Sequence, residues 1–599
     1  MSRRGNDEFE IDLEALRLRY RDERAKRLRA DATGQFQPLK GRFADFAKDP
    51  HADPGLSRAP CVEAVDVAII GGGFGGLLAG GRLREAGVES LRIIDKAADF
   101  GGTWYWNRYP GVACDVESYV YLPFLEETGY IPSEKYARGG EIFEHCRRIG
   151  RHYRLYDGAL FQTEVTRVAW DETGKRWIVS TDRGDRIAAR FVVSCKGLYN
   201  SPKLPGIPGI EDFQGRSFHT SRWDYAYTGG AADQDLAGLE DKAVGIIGTG
   251  STGIQCVPRL AERSKHLYVF QRTPSSIDAR NNRPTDPAWA ATLSPGWHRR
   301  RIENFTLVTA GVPQAEDLVE DSWTDLLGAG AGAADGEAKP LDPAALDRSQ
   351  FMKMEVVRRR VEAVVKDRAT AEALKPYYHY LCKRPGFSDE YLEAFNRPNV
   401  TLVDTDGRGV ERITPHGVVA GGAEYRLDCL IFATGFDFMN NYVREAGFDV
   451  IGRGGLALSE CWAGGVRTLF GMQAHGFPNF FVVSLIQAGV SFNYMHIADE
   501  QARHIAYVIS RCLEARIETA EPAAEAVSDW VETVLASAGA RRAFLDGCTP
   551  GYIDQEGRRD SAFDLNASYP KGPVSYLELL ESWRAEGSMQ GLVVEPAGC

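Results

Sequence analysis

The sequence contains 11 cysteines in 599 residues, but no two of them form a CxxC or CxxxxC pair. This absence argues against a zinc ribbon and a dithiol redox centre, because both need closely spaced sulfur atoms. It also excludes a disulfide reductase that works through such a dithiol. We therefore expect scattered free thiols, as in proteins of a reducing cytosol.

Long apolar runs and an excess of positive charge are also missing. The longest uncharged apolar stretch, Val67 to Gly81, is rich in glycine and too short to span a bilayer. The first residues, Met-Ser-Arg-Arg-Gly-Asn-Asp-Glu, lack the apolar core of a secretory signal. The net charge of −12 argues against non-specific binding to nucleic acids or anionic membranes. We expect a cytoplasmic protein that binds neither.

Glycine, by contrast, is abundant, and a first G-x-G-x-x-G pattern comprises Gly71, Gly73 and Gly76. It follows an apolar segment, 65–70, that is typical of a buried strand. These glycines permit a tight turn, close approach of the backbone to a pyrophosphate, and close helix–strand packing. Asp95 lies 24 residues after the first glycine, where it is placed to accept hydrogen bonds from ribose hydroxyls. The segment therefore predicts an FAD-type dinucleotide site.

A second glycine pattern follows the predicted strand 243–247. Here the next strand ends at Arg272 and Thr273, so that a cation stands 24 residues after the first glycine, where the first unit has an acid. A cation suits the 2′-phosphate of NADP, and an acid would repel it. Two such sites narrow the class to flavin–nicotinamide oxidoreductases. The residues of the second loop are Gly248, Thr249, Gly250, Ser251, Thr252 and Gly253.

The order of predicted elements indicates an α/β fold with two interleaved Rossmann-like dinucleotide-binding domains. Strand patterns return near 400–403 and 429–432, after a region that reads as helical and contains an Ala/Gly-rich loop at 328–339. A charged amphipathic helix is predicted near the start of the chain. The expected boundaries are 1–60 for the N-terminal extension, 61–205 for the first part of the FAD domain, 206–285 for the first part of the NADP domain, 286–375 for the helical insertion, 376–425 for the second part of the NADP domain, and 426–599 for the second part of the FAD domain and the tail.

Residues 213–224 lie between the two glycine loops and fit the pattern F-x-G-x-x-x-H-x-x-x-W-[P/D]. In this setting the chain resembles the Baeyer–Villiger monooxygenases over roughly 61–515. The resemblance implies that FAD, NADPH and O2 are used to convert a ketone to an ester or lactone through a C4a-peroxyflavin. It also implies that His219 and Trp223 serve the hinge between domains. The fixed positions of the pattern are Phe213, Gly215, His219, Trp223 and Asp224.

The resemblance also implies the other site residues. Arg384 is expected to stabilise the peroxide anion and the oxyanion adduct, because a guanidinium is a permanent cation. Asp115 is expected to pair with Arg384, and Lys383 to reach the NADP 2′-phosphate beside Arg272. The expected contacts to the flavin cofactor are Thr103, Trp104, Tyr105, Trp106, Asp115, Tyr121 and Val165.

Two departures from the common pattern bear on the substrate. The chain has a long N-terminal extension, and segment 548–557 stands where the family usually has a Trp-rich segment. Together these features resemble the branch that acts on macrocyclic, steroid or terpenoid ketones, with pocket residues expected near 485–493 and at Tyr552. A flavin monooxygenase that oxidises N or S, and an uncoupled NADPH oxidase or non-catalytic nucleotide-binding protein, stay open as alternatives. The particular ketone and the oligomeric state are not predicted.

Overall fold

The structure, a computed structural model, describes residues 11–197, 199, 201–325, 343–437, 446–560 and 562–597. Most strands of this part of the chain belong to two sheets whose central strands are parallel. We call these sheets, with the segments that pack on them, the first and second units. The loop expected at 328–339 lies outside the described residues.

The first unit is built around the strand Val62–Ile70, whose last residues are buried almost without interruption. Such a run is expected of a central parallel strand that is covered on both faces. It pairs in parallel with Leu91–Ile94 on one side and with Arg186–Ser194 on the other. The strands predicted from the sequence in this unit are thereby confirmed. The remaining strands of the sheet are Ala159–Leu160, Val165–Asp171, Arg176–Thr181, Val450–Ile451 and Phe480–Val482.

The second unit is a sheet of five parallel strands. The strand Cys429–Phe432 lies inside this sheet, beside Ala243–Ile247, and all four of its residues are buried. The predicted boundary at 425/426 is therefore wrong, because the chain leaves the second unit only after Phe432. In sheet order, the strands are Val400–Asp404, His266–Gln271, Ala243–Ile247, Cys429–Phe432 and Arg216–His219.

The two units are interleaved along the chain, as predicted. Late strands return to each sheet, and one apolar core contains residues of both units, such as Ile69 and Ile431. Ile70 and Phe432, the next residues of the same two strands, point to the other face of their sheets. Each belongs to a further apolar core. The sheets are therefore packed together through a shared layer, which brings their strand ends close to each other.

Helices cover the sheets and form both terminal extensions. The predicted N-terminal helix is confirmed as Leu13–Arg27, where Asp12 caps the first turn by accepting from Glu14 and Ala15 N–H. The insertion is helical only in part, since residues 312–322 form bends and irregular chain. The other longer helices are Phe74–Glu85, Gly139–His152, Ser251–Arg263, Trp297–Thr309, Pro343–Val364, Tyr494–Glu514, Ala524–Leu535, Ala538–Asp546 and Gly572–Glu586.

The expectation of free thiols alone is wrong. Cys382 and Cys548 form a disulfide across a sequence separation of 166 residues, which local spacing could not indicate. The bond joins the segment before Lys383 to the C-terminal segment. The other eight cysteines within the described ranges are free, and six of them are buried. No helix in the described part of the chain has the length and apolar character to cross a membrane.

Candidate active site

A cavity of about 1060 Å³ opens where the strands of both units end. Its wall includes Ile70 and Ile94 from the first unit, and Ile247 and Phe270 from the second. All four lie at or near the carboxyl ends of parallel strands, which is where α/β sheets bind ligands. Both glycine loops therefore face one common space.

The first glycine loop has the shape that a dinucleotide requires. Gly71 has a φ of +105°, and a Cβ there would lie 2.4 Å from the carbonyl oxygen of Cys195. Gly76 lies beneath the loop, where a Cβ would approach the carbonyl oxygen of Gly71 to 1.9 Å. Gly73 immediately precedes the helix Phe74–Glu85, so that the free N–H groups of its first turn face the cavity.

Asp95 is held by its own unit. Its carboxylate accepts from Gly72 N–H at 2.5 Å and from Ala97 N–H at 2.7 Å. Burial raises the pKa of Asp95 above its ordinary value, against the effect of these two bonds. The side chain lines the cavity at the strand end.

Most of the residues predicted to contact the flavin line this half of the cavity. Trp104 and Tyr121 support each other, because the Trp104 Nε1–H donates to the Tyr121 hydroxyl at 3.1 Å. Tyr105 instead lies outside the cavity lining, with a buried ring and a hydroxyl that donates to Asp49 Oδ2 at 2.7 Å. The predicted residues of this half that line the cavity are Gly71, Gly73, Asp95, Thr103, Trp104, Trp106, Asp115, Tyr121 and Val165.

The second glycine loop repeats the backbone geometry of the first. Gly248 has a φ of +111°, and a Cβ there would lie 2.4 Å from the carbonyl oxygen of Ala433. A Cβ at Gly253 would lie 2.3 Å from the carbonyl oxygen of Gly248, whereas one at Gly250 would have no described atom within 4 Å. The predicted residues of this half that line the cavity are Gly248, Thr249, Gly250, Ser251, Thr252, Arg272, Thr273, Lys383 and Arg384.

Arg272 and Lys383, the two cations predicted for a 2′-phosphate, lie at the same part of the cavity. Arg272 donates to Gln35 Oε1 at 2.8 Å and to Glu556 Oε2 at 3.1 Å. Lys383 Nζ donates to the carbonyl oxygen of Pro550 at 2.9 Å. Burial, reinforced by the charge of Arg272, lowers the pKa of Lys383 to about 8. No local pattern predicts a role for Gln35 or Glu556, which come from the two terminal extensions.

Arg384 and Asp115 form a bidentate ion pair on the cavity wall. Arg384 Nε and Nη2 donate to the two carboxylate oxygens of Asp115, each at 2.8 Å. Burial alone would raise the pKa of Asp115, but the adjacent guanidinium outweighs it and holds that pKa below its ordinary value. Arg384 therefore stays a cation while Nη1 lies outside the ion pair.

His219 and Trp223, from the pattern at 213–224, are both buried. His219 ends a strand of the second sheet, is fully buried, and lies edge-on to Phe436, on the connection that leaves that sheet. Burial lowers the pKa of His219 to about 3, so that its ring is neutral at physiological pH. The Trp223 Nε1–H donates to Thr228 Oγ1 at 3.0 Å. Neither side chain is part of the cavity wall.

The predicted substrate segment also reaches the cavity. Leu485, Val490, Ser491 and Phe492 line it, together with Tyr552 from the C-terminal segment. The cavity is thus lined by two dinucleotide loops, with Asp95 beside the first, Arg272 beside the second, and the permanent cation Arg384 on the same wall. These features define a flavin- and nicotinamide-dependent oxidoreductase.

Comparison with known proteins identifies the family. A family model described as "Pyridine nucleotide-disulphide oxidoreductase" matches residues 68–304. The chain is 52% identical to neopentalenolactone D synthase of Streptomyces avermitilis over 589 residues, 97% of this chain and 99% of the relative. It is 48% identical to a Baeyer–Villiger monooxygenase of Streptomyces coelicolor over 591 residues, 98% of this chain and 97% of the relative. The solved polycyclic ketone monooxygenase of Thermothelomyces thermophila superposes with a TM-score of 0.91 at 39% identity, covering 98% and 99% of the two chains.

The similarities to the two relatives and the solved structure extend over nearly the whole length of each protein. The chain belongs to the Baeyer–Villiger monooxygenases, enzymes that use FAD and NADPH to oxidise cyclic ketones. The glycine loops, with their close backbone contacts and cavity-facing helix starts, fit both cofactors. The alternative that oxidises N or S is not favoured by these relatives.

Proposed function

We propose that this monooxygenase converts a bulky cyclic ketone to an ester or lactone, with Arg384 as the catalytic cation. The observation that carries the proposal is the Arg384–Asp115 pair, which lies on the wall of the cavity that both glycine loops face. The bulk of the substrate is supported by the similarity to a polycyclic ketone monooxygenase and to neopentalenolactone D synthase.

The overall reaction inserts one oxygen atom of O2 beside the carbonyl carbon and releases the other as water. Bound FAD, reduced by NADPH, supplies the two electrons for this insertion. The protein must then stabilise negative charge, first on the attacking oxygen and then on the former carbonyl oxygen. Arg384 suits both tasks because its charge persists at any physiological pH and its Nη1 lies outside the ion pair.

The other predicted residues have supporting roles in this proposal. Asp115 positions Arg384 through two parallel hydrogen bonds, which fix one edge of the guanidinium. Arg272 and Lys383 bind the 2′-phosphate of NADPH, and the N-terminus of helix Ser251–Arg263 binds its pyrophosphate. Asp95 binds a ribose hydroxyl of FAD, as acids at this strand end do.

A ketone panel with an Arg384 variant tests the proposal. Purified enzyme should consume NADPH faster with cyclohexanone, cyclododecanone or a steroid ketone, and mass spectrometry should find a product one oxygen atom heavier. Arg384→Ala should keep its flavin and the reduction of that flavin by NADPH, but lose at least about hundredfold in ester formation. Arg408→Ala, which removes another arginine of the cavity wall, serves as the control. Normal ester formation by Arg384→Ala would refute the role.

We also propose a cytoplasmic location, because the reaction consumes NADPH. The Cys382–Cys548 disulfide makes this an unusual case, since cytosolic disulfides are rare. Alkylation of free thiols in intact cells, followed by mass spectrometry of the fractionated protein, tests both points. Recovery of the protein outside the cytoplasmic fraction would contradict the location.

A further inference from the structure

Trp323 lies in the non-helical part of the insertion and is 1% exposed. Its position is fixed by a tight turn, because Asp321 Oδ1 accepts from the backbone N–H groups of Trp323 and Thr324 at 2.9 and 3.2 Å. The turn is tied to the first unit, where the Tyr136 hydroxyl donates to Asp321 Oδ2 at 2.9 Å. The indole is therefore held by its own backbone as well as by packing.

The indole of Trp323 contacts both partners of the ion pair. Its Nε1–H donates to the backbone carbonyl oxygen of Asp115 at 2.7 Å. Its ring centroid lies 4.9 Å from Cζ of Arg384, within the range of a cation–π interaction. The ring is also stacked on Phe492, a residue of the cavity wall, at a centroid distance of 4.6 Å.

We propose that Trp323 is a positioning residue for Arg384. Two parallel hydrogen bonds to Asp115 fix one edge of the guanidinium, but they leave it free to tilt about that edge. The aromatic ring restrains that tilt, and its N–H fixes the backbone that carries the carboxylate. Trp323 thereby sets the direction of Nη1, which the ion pair with Asp115 does not hold. The inference rests on the proposed catalytic role of Arg384.

Two substitutions separate the contributions of the ring and its N–H. Trp323→Phe keeps an aromatic ring and loses the donor, whereas Trp323→Leu loses both. Trp289→Phe is the matched control, because Trp289 lies in the same insertion and its described ring contacts are with Arg301, Tyr119 and Trp297 rather than with Asp115 or Arg384. Each holoenzyme is assayed for flavin content, anaerobic flavin reduction by NADPH, and ester formed per NADPH oxidised. Peptide mass spectrometry also gives the rate at which phenylglyoxal modifies Arg384.

The expected pattern is graded. Ester formed per NADPH should fall by about threefold in Trp323→Phe and about tenfold in Trp323→Leu, while hydrogen peroxide rises and flavin reduction stays unchanged. Modification of Arg384 should accelerate in the same order, and Trp289→Phe should resemble the wild type in every measurement. Unchanged coupling and unchanged labelling in both Trp323 variants would overturn the inference.

The labelling measurement keeps this inference separate from the proposed function. If Arg384→Ala makes ester normally, the catalytic role of Arg384 fails, whatever the Trp323 variants do. If Trp323→Leu does not fold, Trp323→Phe still gives the labelling rate and the coupling. Faster labelling without any loss of coupling would show that Trp323 holds Arg384 but that its orientation does not limit the reaction, and would overturn the proposal.

Discussion

The two glycine loops have almost the same backbone, yet the charged side chains predicted to accompany them are supported in different ways. Gly71 and Gly248 have φ values of +105° and +111°, and a Cβ at either would lie 2.4 Å from a carbonyl oxygen of a neighbouring strand end. Asp95, the acid of the first unit, is held by two backbone N–H groups of that unit. Arg272, its counterpart in the second unit, is held by Gln35 and Glu556 from the terminal extensions.

This difference assigns a role to the extensions. The hydrogen-bond partners of the acid in the first site all lie within or next to its own β-loop-α-β segment. Local sequence is therefore enough to place this acid. The cation of the second site donates hydrogen bonds to residues more than two hundred positions away on either side. The N-terminal helix reinforces this arrangement, because Arg27 Nε donates to the carbonyl oxygen of Arg272 at 3.1 Å. We therefore expect substitutions outside the glycine loops to alter the second site more than the first.

The largest expected effect comes from Gly76→Ala in the first loop. A Cβ there would lie 1.9 Å from the backbone oxygen of Gly71, and neither the helix nor the strand can move away without loss of packing. We expect the free energy of unfolding to fall by about 3 kcal/mol or more. The variant should give little folded protein, and that protein should lack flavin. The absorbance ratio of flavin to protein and the melting temperature measure these effects.

Gly250→Ala provides the contrast for this experiment. Gly250 has a φ of −76° and open space around its Cβ direction, so the unliganded protein should keep its melting temperature and its flavin. Only the KM for NADPH should rise, because a methyl group at this position keeps the pyrophosphate from the backbone. A normal flavin content in Gly76→Ala would show that the first loop accommodates a Cβ at this position and would contradict the prediction.

Replacing Arg272 with alanine should produce the next largest effect. Charge-assisted hydrogen bonds to a phosphate contribute about 1.5–3 kcal/mol, so kcat/KM for NADPH should fall by roughly tenfold to a hundredfold. The value for NADH, which has no 2′-phosphate, should change little. Steady-state kinetics with both nucleotides measures the ratio, and equal losses for NADPH and NADH would contradict the assignment of Arg272.

The sequence predicted those features that depend on local pattern. Both strand–glycine–helix segments, the opposite charges of Asp95 and Arg272, and the pairing of Asp115 with Arg384 are present in the structure. Buried strands and tight turns can be predicted because each requires particular residue types within a short stretch of sequence. The ion pair was predicted from the family resemblance and not from local pattern. The boundary at 425/426 failed because the short strand Cys429–Phe432 is equally apolar in either sheet.

Long-range partners could not be predicted. Trp323 lies in a region that reads as helical, and no periodicity indicates that its indole meets Asp115 and Arg384. Glu556 lies in segment 548–557, which departs from the common family pattern, and the Cys382–Cys548 bond joins residues that no spacing rule connects. These contacts depend on how the insertion and the terminal segments pack on the two units, which only the folded chain defines.

A pH profile sharpens the contrast between the two sites through Lys383. Because burial and Arg272 lower its pKa to about 8, Lys383 loses its charge as pH rises through that value. The KM for NADPH should therefore increase severalfold between about pH 7.5 and 9.5, since a neutral amine attracts the 2′-phosphate less. Lys383→Arg, which stays charged, should flatten the profile. An identical rise in that variant would show that another group titrates.

The smallest expected effect tests Glu556, the C-terminal partner of Arg272. Its carboxylate accepts from Nη2 of Arg272 at 3.1 Å and is 6% exposed, so it and the 2′-phosphate compete for the same guanidinium. Glu556→Gln keeps the size and weakens the competition. A partly exposed ion pair contributes about 1 kcal/mol or less, so the KM for NADPH should fall by about threefold and that for NADH should stay constant. Glu411→Gln, another acid on the cavity wall but one that accepts from Gly422 N–H, is the control. A higher KM for NADPH in Glu556→Gln would mean instead that the carboxylate orients Arg272 for the phosphate, so that the C-terminal segment supports nucleotide binding rather than opposing it.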